Sequence, residues 1–172
     1  MKRHVVLVGL PGSGKTTVGR LAAEQLHAAF VDVDAILVRR EGKPITMIFA
    51  EKGEAAFREM ERKEMETALA GAPSVVAPGG GWGAQPGAID DARSSALVIY
   101  LRTRPETAAQ RAGPEGTRPL LMGEDPVARM RQLLNEREPF YRNAHAEVDT
   151  DRKTPPQVTS EVVRLAQSSA GW

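Results

Sequence analysis

The stretch "GLPGSGKT", Gly9 to Thr16, constrains the fold more than any other part of the chain. It matches G-x-x-x-x-G-K-[ST], follows the apolar run "VVLVG" and opens a helix-like segment, the setting in which this pattern cradles phosphate. Gly12 and Gly14 let backbone N–H groups turn toward phosphate oxygens, with Ser13 and Thr17 in the same turn, and the helix start adds its positive end. Lys15 would then reach the β and γ phosphates, and the Thr16 hydroxyl would ligate Mg²⁺.

Five β-branched runs punctuate the chain, at 5–9, 29–33, 74–78, 96–101 and 146–150. Helical patterns separate them, at 15–27, 34–41, 53–70, 103–111, 126–138 and 155–168. Strands alternating with helices require crossovers, and so predict a doubly wound, three-layer α/β fold with a parallel sheet. Two places break the alternation. About forty residues between the second and third runs hold two helical stretches, more than one crossover needs, and the segment 33–61 is a candidate substrate module. In 112–124, Gly113, Pro114, Gly116, Pro119 and Gly123 forbid a helix and suggest a lid.

At 172 residues and 41% hydrophobic content, one domain spanning 1–172 is expected. Lysine and arginine total 23 against 22 acidic residues. That balance argues against nucleic-acid or membrane binding through bulk charge, so any anion must be held locally. With no cysteine, thiol catalysis and thiolate metal sites are excluded. The apolar run in "MKRHVVLVGL" is too short for a leader and reads as a buried strand.

Several charged residues carry two readings. Asp32 and Asp34 in "FVDVDAIL" would share a face if the strand persists, Asp32 holding a Mg²⁺ water and Asp34 a substrate hydroxyl. Alternatively, Asp34 caps a helix beginning at Ala35. Arg137 continues the apolar stripe of its helix, so it either snorkels or meets an anion in a pocket. Arg58 is flanked by Glu54 and Glu61 at helical spacing, which suits an ordinary ion pair or a guanidinium fork held ready for a carboxylate. Arg118 is either an exposed arginine or a finger closing on the γ-phosphate. Three consecutive glycines, Gly79 to Gly81, follow the third run in "VVAPGGGWG" and imply that something approaches the backbone closely.

Taken in order, "GLPGSGKTT", "DVD" at 32–34, "FREME" at 57–61, "GGG" at 79–81, "TRPLL" at 117–121 and "REPFYR" at 137–142 resemble the shikimate kinases. The resemblance spans about residues 4 to 165. It implies a P-loop kinase fold like that of nucleoside monophosphate kinases, with a five-stranded parallel sheet, a substrate-binding insertion and a lid. It also implies ATP- and Mg²⁺-dependent phosphorylation of the shikimate 3-hydroxyl by a cytoplasmic monomer, in aromatic amino-acid biosynthesis. By the same likeness Asp34 would hold ring hydroxyls or act as base, and Arg58, Arg137 and the Gly79, Gly80 and Gly81 backbone would bind the acceptor. Lys15 and Arg118 would act on the phosphates, Thr16 and Asp32 would serve the metal, and Arg111 and Pro155 would flank adenine. The chain departs from the pattern at Trp82, where a small residue is common, and at Lys153, where arginine is more usual. Other readings are a P-loop kinase for gluconate or a nucleoside monophosphate, and a nucleotide-binding regulatory module without turnover.

Overall fold

The computed structural model describes residues 1–79, 81–112 and 125–172. Gly80, Arg118 and nearly all of the expected 112–124 lid therefore lie outside the described residues. Five parallel strands, β1 (His4–Val8), β2 (Ala29–Asp32), β3 (Ser74–Ala77), β4 (Ala96–Arg102) and β5 (Ala146–Asp149), form one sheet in the order β2-β3-β1-β4-β5. The expected runs become strands within about a residue at each end.

Alternation along the buried strands assigns the two faces. Val5 and Leu7 of β1, Val75 of β3, and Leu97, Ile99 and Leu101 of β4 pack with α1 (Lys15–Leu26) and α8 (Pro155–Ser169). Val6, Val8, Val76, Val98 and Tyr100 point the other way. They meet α2 (Val33–Glu41), α3 (Ile45–Lys52), α4 (Glu54–Ala70), α5 (Ala88–Ala92), α6 (Pro105–Ala112) and α7 (Pro126–Tyr141). A parallel sheet is thus covered on both faces, as its apolar strands demand. No helix among the described residues is long and apolar enough to cross a membrane.

Three differences from the sequence expectation matter for the site. First, β2 ends at Asp32, so Asp32 and Asp34 do not share a strand face. The Asp32 carboxylate accepts from Ala35 N at 3.1 Å and starts α2 at Val33, which makes Asp32 the cap and puts Asp34 in the first helical turn. Second, three helices rather than two separate β2 from β3, because Gly42 and Gly53 end α2 and α3 and bracket the eight-residue α3. Third, α7 runs through Pro139 to Tyr141, a full turn past Arg137.

The chain from β1 crosses to β2 on one side, and that from β3 crosses to β4 on the other. This reversal of strand order opens a crevice at the carboxyl ends of the strands, where ligands bind in such sheets. The phosphate loop, Asp32 and the glycine run all leave the sheet at this edge.

Candidate active site

On the β1 side, residues 9–14 wrap the start of α1. Gly12 has φ +80, and a Cβ there would lie 2.3 Å from Ala108 O, so only glycine lets the loop pack on α6. Lys15 is buried, and its ammonium donates to Gly9 O at 2.8 Å, Leu10 O at 2.7 Å and Ser13 Oγ at 3.3 Å. The Tyr141 hydroxyl donates to the same Gly9 carbonyl at 3.2 Å. Thr16 Oγ1 donates to Asp32 Oδ2 at 3.3 Å, which joins the loop to the end of β2.

Beside the loop lies a cavity of about 410 Å³, large enough for a nucleotide-sized ligand. Residues 12–18 form one wall. Arg111 and Ala112 of α6, Thr150 and Lys153 after β5, and Pro155 and Val158 of α8 form the others. Arg111 is held in place by donating to Thr150 Oγ1 at 3.4 Å and Thr150 O at 3.3 Å. Lys153 pairs with Glu161 at 2.9 Å, so it is anchored on α8.

Across the β3 edge the arrangement is different. Arg58 Nη1 donates to Glu61 Oε1 at 3.1 Å, Arg58 Nη2 lies 3.7 Å from Glu54, and the guanidinium carbon lies 5.5 Å from the Phe57 ring and 5.8 Å from the Phe49 ring. The ion-pair reading of the Arg58 spacing therefore holds, and the pair with Glu61 fixes the orientation of the guanidinium. Arg137 is buried on α7 rather than snorkelling. Arg58 Nε and Arg137 Nη1 are buried without a hydrogen-bond partner among the described residues. Leaving such donors unmade is costly, and two of them in adjoining arginines mark a place for an anion.

The glycine run explains how these groups come so close. A Cβ on Gly81 would lie 2.3 Å from the Arg58 guanidinium carbon, and one on Gly79, at φ +89, would lie 2.9 Å from Asp34 Oδ1 and 3.0 Å from Glu61 Oε2. What approaches the backbone at Gly79 and Gly81 is thus the chain's own charged cluster. Trp82 starts a short 3₁₀ turn and packs in the core, lining with Met65 and Leu69 a second cavity between α4 and α5.

Glu61, which the sequence shows only as a helical neighbour of Arg58, belongs to the same cluster. It is 1% exposed, and burial pushes its carboxyl up to about 7, opposed by Arg58, reinforced by the like charge of Asp34 and opposed again by Arg137. Its neighbour Tyr141 stays a protonated phenol because burial raises its hydroxyl. Both residues sit one turn from an arginine already singled out, Glu61 at i+3 from Arg58 and Tyr141 at i+4 from Arg137, and that spacing was the available signal.

The structure therefore brings Lys15, Thr16, Asp32, Asp34, Arg58, Gly79, Gly81 and Arg137 to one edge of the sheet, with Arg111 and Pro155 on the far wall of the nucleotide-sized cavity. The chemistry on offer is anion binding at two places, the cavity beside the loop and the buried guanidinium nitrogens of Arg58 and Arg137.

A shikimate kinase family model matches residues 11–167. A shikimate kinase from Caldanaerobacter subterraneus subsp. tengcongensis is 40% identical over 162 residues, covering 94% of this chain and 95% of that protein. Among solved structures, shikimate kinase from Acinetobacter baumannii in complex with shikimate superposes with a TM-score of 0.92 at 34% identity, covering 98% of this chain and 94% of the other. A gluconokinase from Sinorhizobium meliloti reaches 0.61 at 22% identity over 99% of this chain and 94% of its own, a likeness of fold alone.

Proposed function

Because the chain belongs to the shikimate kinase family, we infer that it transfers the γ-phosphoryl group of ATP to the 3-hydroxyl of shikimate, giving 3-phosphoshikimate and ADP in aromatic amino-acid biosynthesis. The observation that carries this reading is a pair of arginines, Arg58 and Arg137, each burying a guanidinium nitrogen without a hydrogen-bond partner among the described residues, on the same sheet edge as the phosphate loop. A ring acid places its carboxylate on Arg58 and Arg137 and turns its hydroxyls toward Asp34. In that pose Asp34 orients the attacking hydroxyl and accepts its proton, while Lys15 exchanges its loop carbonyls for phosphate oxygens. Arg111 and Pro155 flank the base, and Ser13 and Thr17 line the phosphate end of the same cavity. Positioning and charge stabilisation are most of what phosphoryl transfer asks of a protein. Gly80 and Arg118, outside the described residues, keep the acceptor and phosphate roles that the sequence likeness suggests.

The Thr16 hydroxyl and Asp32 carboxylate, in contact at 3.3 Å, form a hard oxygen donor set that fits a Mg²⁺ arriving with the nucleotide. Bound there, the ion would supply neutralisation of phosphate charge. We further propose one kinase domain over 1–172, acting as a monomer in the cytoplasm. The continuous sheet and the cysteine-free composition suit this reading, and light scattering on the purified protein checks the oligomeric state.

ADP release measured with ATP, Mg²⁺ and a panel of shikimate, gluconate and AMP tests the assignment. Stimulation by shikimate alone is expected. Stimulation only by gluconate or AMP would overturn it, and no stimulation by any acceptor would favour a nucleotide-binding module.

A further inference from the structure

Glu61 is buried beside two arginines and a second carboxylate, and the proposed chemistry gives it no task. The groups that face it can be taken element by element. Arg58 comes from its own helix, with Glu54 on the solvent side of that arginine. Asp34 comes from α2, and Arg137 and the Tyr141 hydroxyl come from α7. From the end of β3, Gly79 and Gly81 bring backbone and no ionisable side chain. From α3, the Phe49 ring lies 5.8 Å from the Arg58 guanidinium carbon and is apolar.

With Asp34 and Glu61 ionised, the two arginines and two carboxylates balance to zero. An acceptor carboxylate entering this cluster adds one negative charge where water is largely excluded, and an uncompensated buried charge is expensive. It also competes with Glu61 for Arg58, whose guanidinium is the main group holding Glu61 ionised. Glu61, at 1% exposure and hydrogen-bonded to Arg58, is the carboxylate that yields.

We infer that Glu61 takes up a proton when the acceptor carboxylate binds, so that acceptor affinity is proton-linked while nucleotide affinity is not. The inference rests on the acceptor site proposed above and deepens it. Glu61 acts through Arg58 and is a positioning residue rather than a catalytic one. Its carboxyl already titrates at about 7 before any ligand arrives, so the linkage falls in the working range of pH. Binding at pH 7.5 then consumes most of one proton. Acceptor KM rises with pH, by up to roughly tenfold per unit, over a range in which the acceptor itself stays ionised.

The test is calorimetry of shikimate binding to the full-length protein at pH 7.5, in two buffers of different ionisation enthalpy. The expected result is a buffer-dependent enthalpy corresponding to uptake of roughly one proton, which disappears in Glu61→Gln. In that variant the acceptor KM also loses its rise between pH 7.5 and 9, since an uncharged amide stands where the protonated acid would. A wild-type enthalpy that is independent of buffer overturns the inference, as does an uptake that persists in the variant. If Glu61→Gln does not fold, the wild-type KM profile decides: a rise for shikimate with a flat profile for ATP supports the inference, and two flat profiles sink it. Shikimate that binds and turns over without proton uptake removes this inference alone. Shikimate that neither binds nor turns over removes the acceptor site as well.

Discussion

The two halves of the carboxyl edge satisfy their polar groups in opposite ways. On the nucleotide side, Lys15 is hydrogen-bonded to carbonyls of its own loop, Arg111 is tied to Thr150, and Lys153 is paired with Glu161. On the acceptor side, Arg58 and Arg137 each bury a guanidinium nitrogen without a hydrogen-bond partner among the described residues, and burial among competing charges pushes the Glu61 carboxyl up. On the proposed function, the first region is a cradle in which phosphates take over the Lys15 contacts, and the second is a charge cluster that an anion completes. The proposal thus separates two sources of specificity, with backbone geometry selecting phosphate and buried guanidinium donors selecting an acid.

The largest effect is expected on the cradle side. Replacing Lys15 by Ala removes a charge aimed at the transferring group and should lower kcat by at least about 10²-fold, read by steady-state ADP release. The acceptor KM should change far less, and an equal rise in acceptor KM would blur the division between the halves. Next comes Arg137→Ala, which deletes a charge-assisted contact worth about 1.5 to 3 kcal/mol and should raise the acceptor KM roughly 10- to 100-fold while leaving the ATP KM near wild type. An unchanged acceptor KM would remove Arg137 from the pocket.

Gly81→Ala is the finer probe. Its Cβ would collide with the Arg58 guanidinium at 2.3 Å, so the side chain must swing away. Acceptor kcat/KM should fall by roughly tenfold or more, because misplacing a substrate-orienting group by about 1 Å costs up to about 10². Nucleotide binding, followed by calorimetry with ADP, should not move.

The smallest effect lies outside both halves and serves as a control. His145 Nδ1 accepts from Val98 N at 3.0 Å next to β5, and burial, with Arg93 and Arg3 nearby, holds its folded-state value below 6.5. The unfolded chain therefore binds the extra proton more readily. The stability contributed is present above about 6.5 and is lost as pH falls below it. The raised Glu61 carboxyl stabilises the fold as pH falls through the same range, so the His145 contribution is read as a difference between proteins: the melting temperature of wild type minus that of His145→Gln should fall on acidification below about 6.5. A difference that stays constant or rises on acidification would contradict the assignment.

Much of this was legible in the sequence. The strands were, because β-branched runs in a buried parallel sheet stand out against the helical segments between them. The phosphate loop was, because its motif and its setting agree. Arg137 was readable as a charge on an apolar stripe. The short α3 was not, since an eight-residue helix bracketed by Gly42 and Gly53 looks like connecting chain. Nor was the capping at β2, which turns on which carboxylate reaches Ala35 N. Glu61 was hidden for a different reason. "FREME" has the pattern of a solvated ion-pair face, yet Gly79, distant in sequence, brings bare backbone against Glu61, and Gly81 does so against Arg58. The glycine run signalled a close approach, but the approaching groups are the chain's own Asp34, Glu61 and Arg58.

The most direct test of the account compares shikimate with its methyl ester as acceptors, in wild type and in Arg137→Ala, by ADP release at saturating ATP and Mg²⁺. If an acceptor carboxylate completes the buried cluster, the ester should lose roughly 10- to 100-fold in kcat/KM with the wild type, and most of that gap should close in the variant. Equal use of the acid and the ester by the wild type would contradict the account.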